Sequence, residues 1–277
     1  MRVVVHSLYY WNPNGDRLMR DVRKCGAAFL LGLVLPALAL AQAEVRVFVG
    51  GAMTGPLKEA GAAFTRGSGT QVIVVSDTTG ALLKRLAAGE KADLIVVTGP
   101  AMETLQKENR VVPGSRVDLA RALIGVGVRA GAASPDLSTP DTFKAALLKA
   151  RSVSYVSPAA GGTSGTYFEG LLARMGIAEA MKPKTVYRTQ GSEVADAVAR
   201  GEAELGITFT SELQPNPGVN VAGPLPAAIQ LPTIYSAAIV TGAANGDTAR
   251  AFLRMLTGAE GRAALTRAGL EPLDAPR

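Results

Sequence analysis

Val45-Arg46-Val47-Phe48-Val49-Gly50-Gly51-Ala52-Met53-Thr54 decides how the chain is read. An apolar run of strand length ends in two glycines. A hydroxyl residue then opens a segment, Leu57 to Phe64, with helical apolar spacing. The grammar returns at Asp77-Thr78-Thr79-Gly80, after the strand Gln71 to Val75. It returns again at Gly161-Gly162-Thr163-Ser164-Gly165-Thr166, after Ser152 to Val156, and at Gly191-Ser192. At each junction the first N–H groups of a helix lack an intrahelical acceptor and lie at the positive end of its dipole. One such junction is ordinary. Four, two in each half of the chain, read as donors gathered around one anion.

Outward from these junctions the period keeps alternating. Ala81 to Ala88 is predicted helical, Leu94 to Val97 a buried strand, Met102 to Lys107 a short helix and Leu123 to Val128 a strand. A Gly/Ala/Ser/Pro-rich link follows from Ala130 to Pro140, then a helix over Thr142 to Lys149. Helices are expected at Thr166–Met175 and Ser192–Arg200, and a strand at Leu205–Phe209. Pro215, Pro217, Pro224 and Pro226 mark a loop-rich passage before the strand Tyr235 to Val240. Two helices close the chain, at Asp247–Leu256 and Ala259–Ala268. Alternation of this kind predicts an α/β protein whose parallel sheets are covered by helices. The pattern divides into two lobes, with lobe 1 expected over 44–125 and 237–277 and lobe 2 over 126–236.

The first 43 residues read as a leader. Arg20, Arg23 and Lys24 form a basic region, Ala27 to Leu40 is an uncharged apolar run, and Ala41-Gln42-Ala43 is a small-x-small cleavage pattern. Cleavage after Ala43 and export to the periplasm are therefore expected. Met19 to Ala43 alone makes a complete signal peptide, so Met19 is a candidate start beside Met1. The sole His and the sole Cys, His6 and Cys25, leave with this leader. The leader also carries half of the +6 formal charge. The rest is scattered, which argues against nucleic acid as a partner. A monomer is expected.

The chemistry of the junctions is binding chemistry. Glycines let backbone amides approach an anion, and the Thr163, Ser164 and Thr166 hydroxyls add donors. The Gly161 run is no Walker motif, because no Lys follows its glycines in the required place, and its spacing fails the dinucleotide fingerprint. A flexible loop before a capped helix accounts for this run equally well. Capping alone also accounts for Thr54, Thr78, Thr79 and Ser192; it leaves the Gly50-Gly51 pair unexplained. Arg188 and Arg174 are candidates for a bidentate carboxylate contact, although a solvated surface position is the commoner fate of an Arg. Tyr155, Tyr167, Tyr187 and Phe209 lie near predicted strand ends. Without His or Cys, Ser-His-Asp and Cys-His nucleophiles and His-rich metal sites are excluded from the exported chain. No Ser-x-x-Lys occurs there, and Glu202 and Glu204 read as solvated. The chain therefore reads as a binding protein rather than an enzyme, with no cofactor and no metal.

Val47-Phe48-Val49-Gly50-Gly51-Ala52-Met53, Ala88-Gly89-Glu90-Lys91-Ala92-Asp93-Leu94-Ile95, Gly201-Glu202-Ala203-Glu204-Leu205-Gly206-Ile207 and Phe252-Leu253-Arg254-Met255-Leu256-Thr257 together resemble a known family. The chain resembles the periplasmic solute-binding proteins of ABC importers, in the molybdate-binding-like group, over nearly all of its exported length. The resemblance implies a type 2 fold, with two lobes, each a mainly parallel sheet flanked by helices, closing on a ligand in the cleft. It also implies an inner-membrane ABC permease as partner. Molybdate binders of this group carry Ser at the position of Ala52 and Tyr at that of Phe209, so this chain lacks two hydroxyl donors. An unpaired oxyanion acceptor costs roughly 1–3 kcal/mol. The departures favour a small organic carboxylate over molybdate or tungstate. The candidate ligand set is Gly51, Ala52, Met53, Thr78, Thr79, Gly80, Thr163, Ser164, Gly165, Thr166, Arg188, Ser192 and Phe209. Readings from other classes are a ligand-sensing module for a membrane signalling partner and a hydrolase with Ser164 as nucleophile.

Overall fold

The computed structural model describes residues 44–274; the expected leader lies outside them. β1 (Glu44–Gly50) passes through a 3-10 turn (Gly51–Met53) into α1 (Thr54–Ser68). Then come β2 (Gln71–Asp77), α2 (Thr79–Ala87), β3 (Leu94–Thr98) and α3 (Gly99–Lys107). Leu123 alone separates β4 (Val117–Ala122) from β5 (Ile124–Arg129). The next stretch holds α4 (Pro140–Lys149), β6 (Val153–Val156), α5 (Thr163–Arg174) and α6 (Ala178–Met181). It continues with β7 (Thr185–Arg188), α7 (Gly191–Ala199), β8 (Leu205–Phe209), α8 (Thr210–Leu213) and β9 (Val219–Pro224). The chain then returns through β10 (Thr233–Ile239), α9 (Gly246–Thr257), α10 (Ala259–Arg267) and β11 (Glu271–Pro272).

These strands form two sheets, ordered β11-β4-β10-β3-β1-β2 and β7-β6-β8-β5-β9. Taken from the β2 and β7 edges, the first five strands of each follow one plan. β1 pairs parallel with β2 and β3, as β6 does with β7 and β8. Antiparallel strands complete the other side, β10 against β3 and β4, and β5 against β8 and β9. The sheets are thus mixed rather than mainly parallel. A parallel neighbour needs a helical crossover, which α1, α2, α5 and α7 supply. β5 and β10 instead arrive from the opposite sheet without an intervening α-helix, so the crossing sets their direction.

The change of sheet falls at Leu123 on the outward pass and within residues 225–232 on the return. The expected lobe limits, 125/126 and 236/237, lie inside β5 and β10. β4 escapes sequence detection because Asp118 and Arg121 interrupt its apolar run. Both are partnered: Asp118 accepts from Ser236 Oγ and Arg121 pairs with Glu271. β9 is an edge strand, where Pro224 at its end costs no interior ladder bond.

Each face of the first sheet has its own core. Val45, Val47, Val49, Leu94 and Val96 point to one side, with Leu57 of α1 and Phe252 of α9. Phe48, Ile95 and Val97 point to the other, with Leu82 of α2 and Met102 of α3. This is the period of two expected of strands covered on both faces. In the second sheet Tyr155 packs edge-on against Phe168 of α5, with ring centroids 4.9 Å apart. No described helix is long and apolar enough to cross a membrane.

The two crossings are tied together by one side chain. Gln230 accepts the Ile124 N–H (3.1 Å) and donates to the Ile124 carbonyl (2.8 Å), mimicking a strand partner at the start of β5. Gln230→Ala leaves the Ile124 N–H without this acceptor and is expected to cost about 1–3 kcal/mol. Urea unfolding at constant m-value checks it.

Candidate functional site

Because the two sheets share a plan, their junctions correspond. The β1–α1 junction matches β6–α5, and the β2–α2 junction matches β7–α7. All four line a cleft between the sheets, in two adjoining chambers. The smaller encloses about 20 Å³ and is lined by Gly51, Asp77, Thr78, Thr79, Gly162, Thr163, Ser164, Phe209 and Tyr235, among others. The larger, about 500 Å³, is lined by residues that include Thr54, Lys58, Ser76, Ser192, Asp196 and Ser211. Gly51, Gln190, Gly191 and Glu212 line both. No side chain caps the 3-10 turn before α1, nor α5, so their first N–H groups are left for other acceptors.

The candidate residues divide between the chambers, the core and the surface away from the cleft. Gly51, Thr78, Thr79, Thr163, Ser164 and Phe209 line the smaller chamber, and Gly51 and Ser192 the larger. Ala52 and Met53 do not line either. They turn into the core beneath α1 and are 2 % and 0 % exposed, because the 3-10 turn sends the two residues after Gly51 inward. Gly165 sits over the Val156 carbonyl, where any Cβ would overlap it. Thr166 bonds back to the Gly162 carbonyl within its own helix (2.8 Å). Arg188 is taken by Glu202 and the Tyr187 carbonyl, away from the cleft, and among the described residues no Arg lines either chamber. The cation at the larger chamber is the exposed Lys58.

Gly80 closes the cleft rather than lining it. Its N–H donates to the Gly161 carbonyl (3.2 Å), and Thr78 Oγ1 donates to the Ala160 carbonyl (2.5 Å). These bonds join the two halves at the cleft's edge. A Cβ on Gly80 would lie 2.9 Å from the Gly161 Cα, so only glycine allows the approach.

At the centre stands Glu212, which no sequence motif marks. It follows Phe209-Thr210-Ser211, a fifth strand-to-helix junction that carries hydroxyls but no glycine to mark it. Its carboxyl lies between Gly51 of one half and Gly191 of the other, and a Cβ on either would overlap it. Thr208 Oγ1 donates to Glu212 Oε2, and Ser164 Oγ lies 3.2 Å from Thr208 Oγ1. Burial pushes the Glu212 carboxyl up to about 7, against the lowering effect of the bonds from Thr208 and the Phe209 backbone. Tyr235 lies beside it, packed edge-on against Phe209 at 5.8 Å. Burial, and then the Glu212 charge, hold the Tyr235 hydroxyl protonated well beyond its ordinary range. Tyr235 thus brings a phenol to the chamber where Phe209 has none.

Among the described residues, two hydroxyls in the cleft have no protein partner. Thr79 Oγ1 and Ser211 Oγ make no hydrogen bond, although the residues are only 8 % and 5 % exposed. Thr79 lines the smaller chamber and Ser211 the larger. Buried hydroxyls are nearly always paired, so two orphans in one cleft point to a polar ligand. Among the described residues no group of three or more His, Cys, Asp or Glu is placed to hold a metal ion.

The profile of the family described as bacterial extracellular solute-binding protein matches residues 45–271. The chain belongs to that family. It is 34% identical to a Pseudomonas protein named aconitate isomerase, over 83% of this chain and 88% of that one. It is 30% identical to the molybdate-binding protein of Azotobacter vinelandii, over 82% and 90%. The solved periplasmic molybdate-binding protein of Azotobacter vinelandii superposes with a TM-score of 0.68 at 20% identity, covering 82% of this chain and 98% of that one. The two-lobed type 2 fold and the relation to the molybdate-binding group, both expected from the resemblance, are thereby found.

Between pH 4.5, the ordinary value for its carboxyl, and about 7, folded Glu212 keeps a proton that the unfolded chain has lost. Folded stability therefore falls as pH rises through that window. Glu212→Gln removes the term, so the variant should gain roughly 2–3 kcal/mol on wild type between pH 4.5 and pH 8; denaturant titrations at both pH values measure it. Gly80→Ala should hold the cleft edges apart and raise the radius of gyration of the ligand-free protein in small-angle scattering.

Proposed function

We propose that this is an extracytoplasmic receptor that captures a small organic carboxylate between its two lobes and delivers it to an ABC permease in the inner membrane. In this reading the chain is exported to the periplasm by cleavage after Ala43 and works as a monomer. Closure of the lobes about the crossings at Leu123 and 225–232 traps the anion, which stabilises the closed state by binding it better than the open one.

The observation that carries the carboxylate is the pair of unpartnered buried hydroxyls, Thr79 and Ser211, in adjoining chambers that share Glu212. Placement in two chambers suits an extended anion with more than one charged group better than a compact tetrahedral one. In its neutral form Glu212 can donate a hydrogen bond to a bound anion. The Pseudomonas relative adds support, since aconitate is a tricarboxylate. The molybdate-binding relatives support the oxyanion alternative.

A thermal-shift panel decides between them. Trans-aconitate, cis-aconitate and citrate at about 100-fold excess over Kd are expected to raise Tm by about 5–10 °C, with no response to molybdate, tungstate or sulfate. Stabilisation by molybdate alone would overturn the carboxylate reading.

A further inference from the structure

The geometry points to Glu212 as a catalytic residue that moves a proton between two carbons of an unsaturated carboxylate held in the cleft. The inference rests on the carboxylate reading above and adds an activity to the same site.

Acid–base chemistry on carbon needs a group that touches the substrate, changes protonation near neutral pH and is shielded from bulk water. The titratable groups that share the chambers with Glu212 are Asp77 and Tyr235 in the smaller, and Lys58 and Asp196 in the larger. Asp77 is committed to the Thr78 N–H (2.8 Å) and to Arg85 (3.4 Å). Asp196 accepts from Asn216 Nδ2 (2.8 Å). Tyr235 stays protonated, and Lys58 is solvent-exposed on α1. Glu212 remains. Its carboxyl lines both chambers between Gly51 and Gly191, and burial pushes it up to about 7.

Thr208 and Ser164 are positioning residues. With Glu212 ionised, the Thr208 proton is spent on Oε2, so Ser164 donates to Thr208 and the line runs Ser164, Thr208, Glu212. This line holds one carboxyl oxygen and leaves Oε1 for substrate. Thr79 and Ser211, whose hydroxyls have no protein partner, donate to the substrate's carboxylates. They act with the open helix N-termini on charge that builds as the proton leaves.

In a propene tricarboxylate the step balances without a co-reactant. The C–H bond of the methylene carbon breaks, its proton passes to the Glu212 carboxylate, and the electron pair spreads across the allyl unit into a carboxylate. The far allylic carbon then takes the proton from Glu212, and the double bond has moved by one position. Nothing is oxidised or reduced, and Glu212 returns to its starting state. The absence of His and Cys from the exported sequence is no obstacle to such chemistry.

The test uses the exported chain with trans-aconitate in D2O, followed by proton NMR, with calorimetry on the same samples. Wild type is expected to bind and to exchange its methylene and vinyl protons, with the vinyl signals of the isomer growing in. Exchange should rise with pH through the Glu212 ionisation. Glu212→Gln should lose about 100-fold or more in exchange while still binding. Thr208→Val removes a bond that favours the ionised carboxyl, so its profile should move to higher pH. Binding with neither exchange nor isomerisation in wild type overturns the proposal and leaves the receptor reading intact. Absence of binding overturns both. Wild-type exchange in Glu212→Gln also overturns it, and if that variant loses binding, an unmoved Thr208→Val profile does the same.

Discussion

Each sheet is completed by a strand that the chain delivers from the other half. β10 lies between β3 and β4, and β5 lies between β8 and β9. The halves are therefore tied by two adjacent crossings, braced where Gln230 grips Ile124. This constraint fixes which edges meet. The parallel strands of both sheets end at the cleft, and the helices they feed begin there. At the 3-10 turn before α1 and at α5, N-termini without side-chain caps leave N–H groups that nothing within the helix can satisfy.

Against that field of donors, the position of Glu212 is costly. A carboxyl enclosed between Gly51 and Gly191 loses water that its bonds from Thr208 and the Phe209 backbone only partly replace, so its proton is held to near neutrality. A purely electrostatic anion trap gains nothing from such a group. The unpartnered Thr79 and Ser211 hydroxyls are a second expense. Three polar groups left short of partners in one cleft are strain of the kind that concentrates at functional sites, where ligand supplies what the fold withholds.

Much of the architecture was legible in local pattern. Alternation of strand and helix, the four glycine–hydroxyl junctions and the approximate sheet changes all follow from residue spacing. β4 and β9 were not legible, because Asp118, Arg121 and Pro224 break the apolar run and are made tolerable by Ser236, Glu271 and an edge position. Thr78, Thr79, Thr163 and Ser164 line the smaller chamber, a placement that follows from capping grammar. Ala52 and Met53 were misplaced because a 3-10 turn can present the residues after Gly51 to either side, and only the core beneath α1 decides. Arg188 stands close to Gly191 in sequence, but Glu202 holds it away.

By itself the sequence determined the α/β alternation, the glycines at the strand ends and the confinement of its sole His and Cys to the first 43 residues. Those properties live in residue type and short spacing. Tertiary structure decided the rest: the mixed sheets, the contact of Gly80 with Gly161, and the chemical character of Glu212. An ordinary surface glutamate and Glu212 are the same residue in sequence. Only approach from Gly51 and Gly191, 161 and 21 positions away, removes the water that would make it ordinary.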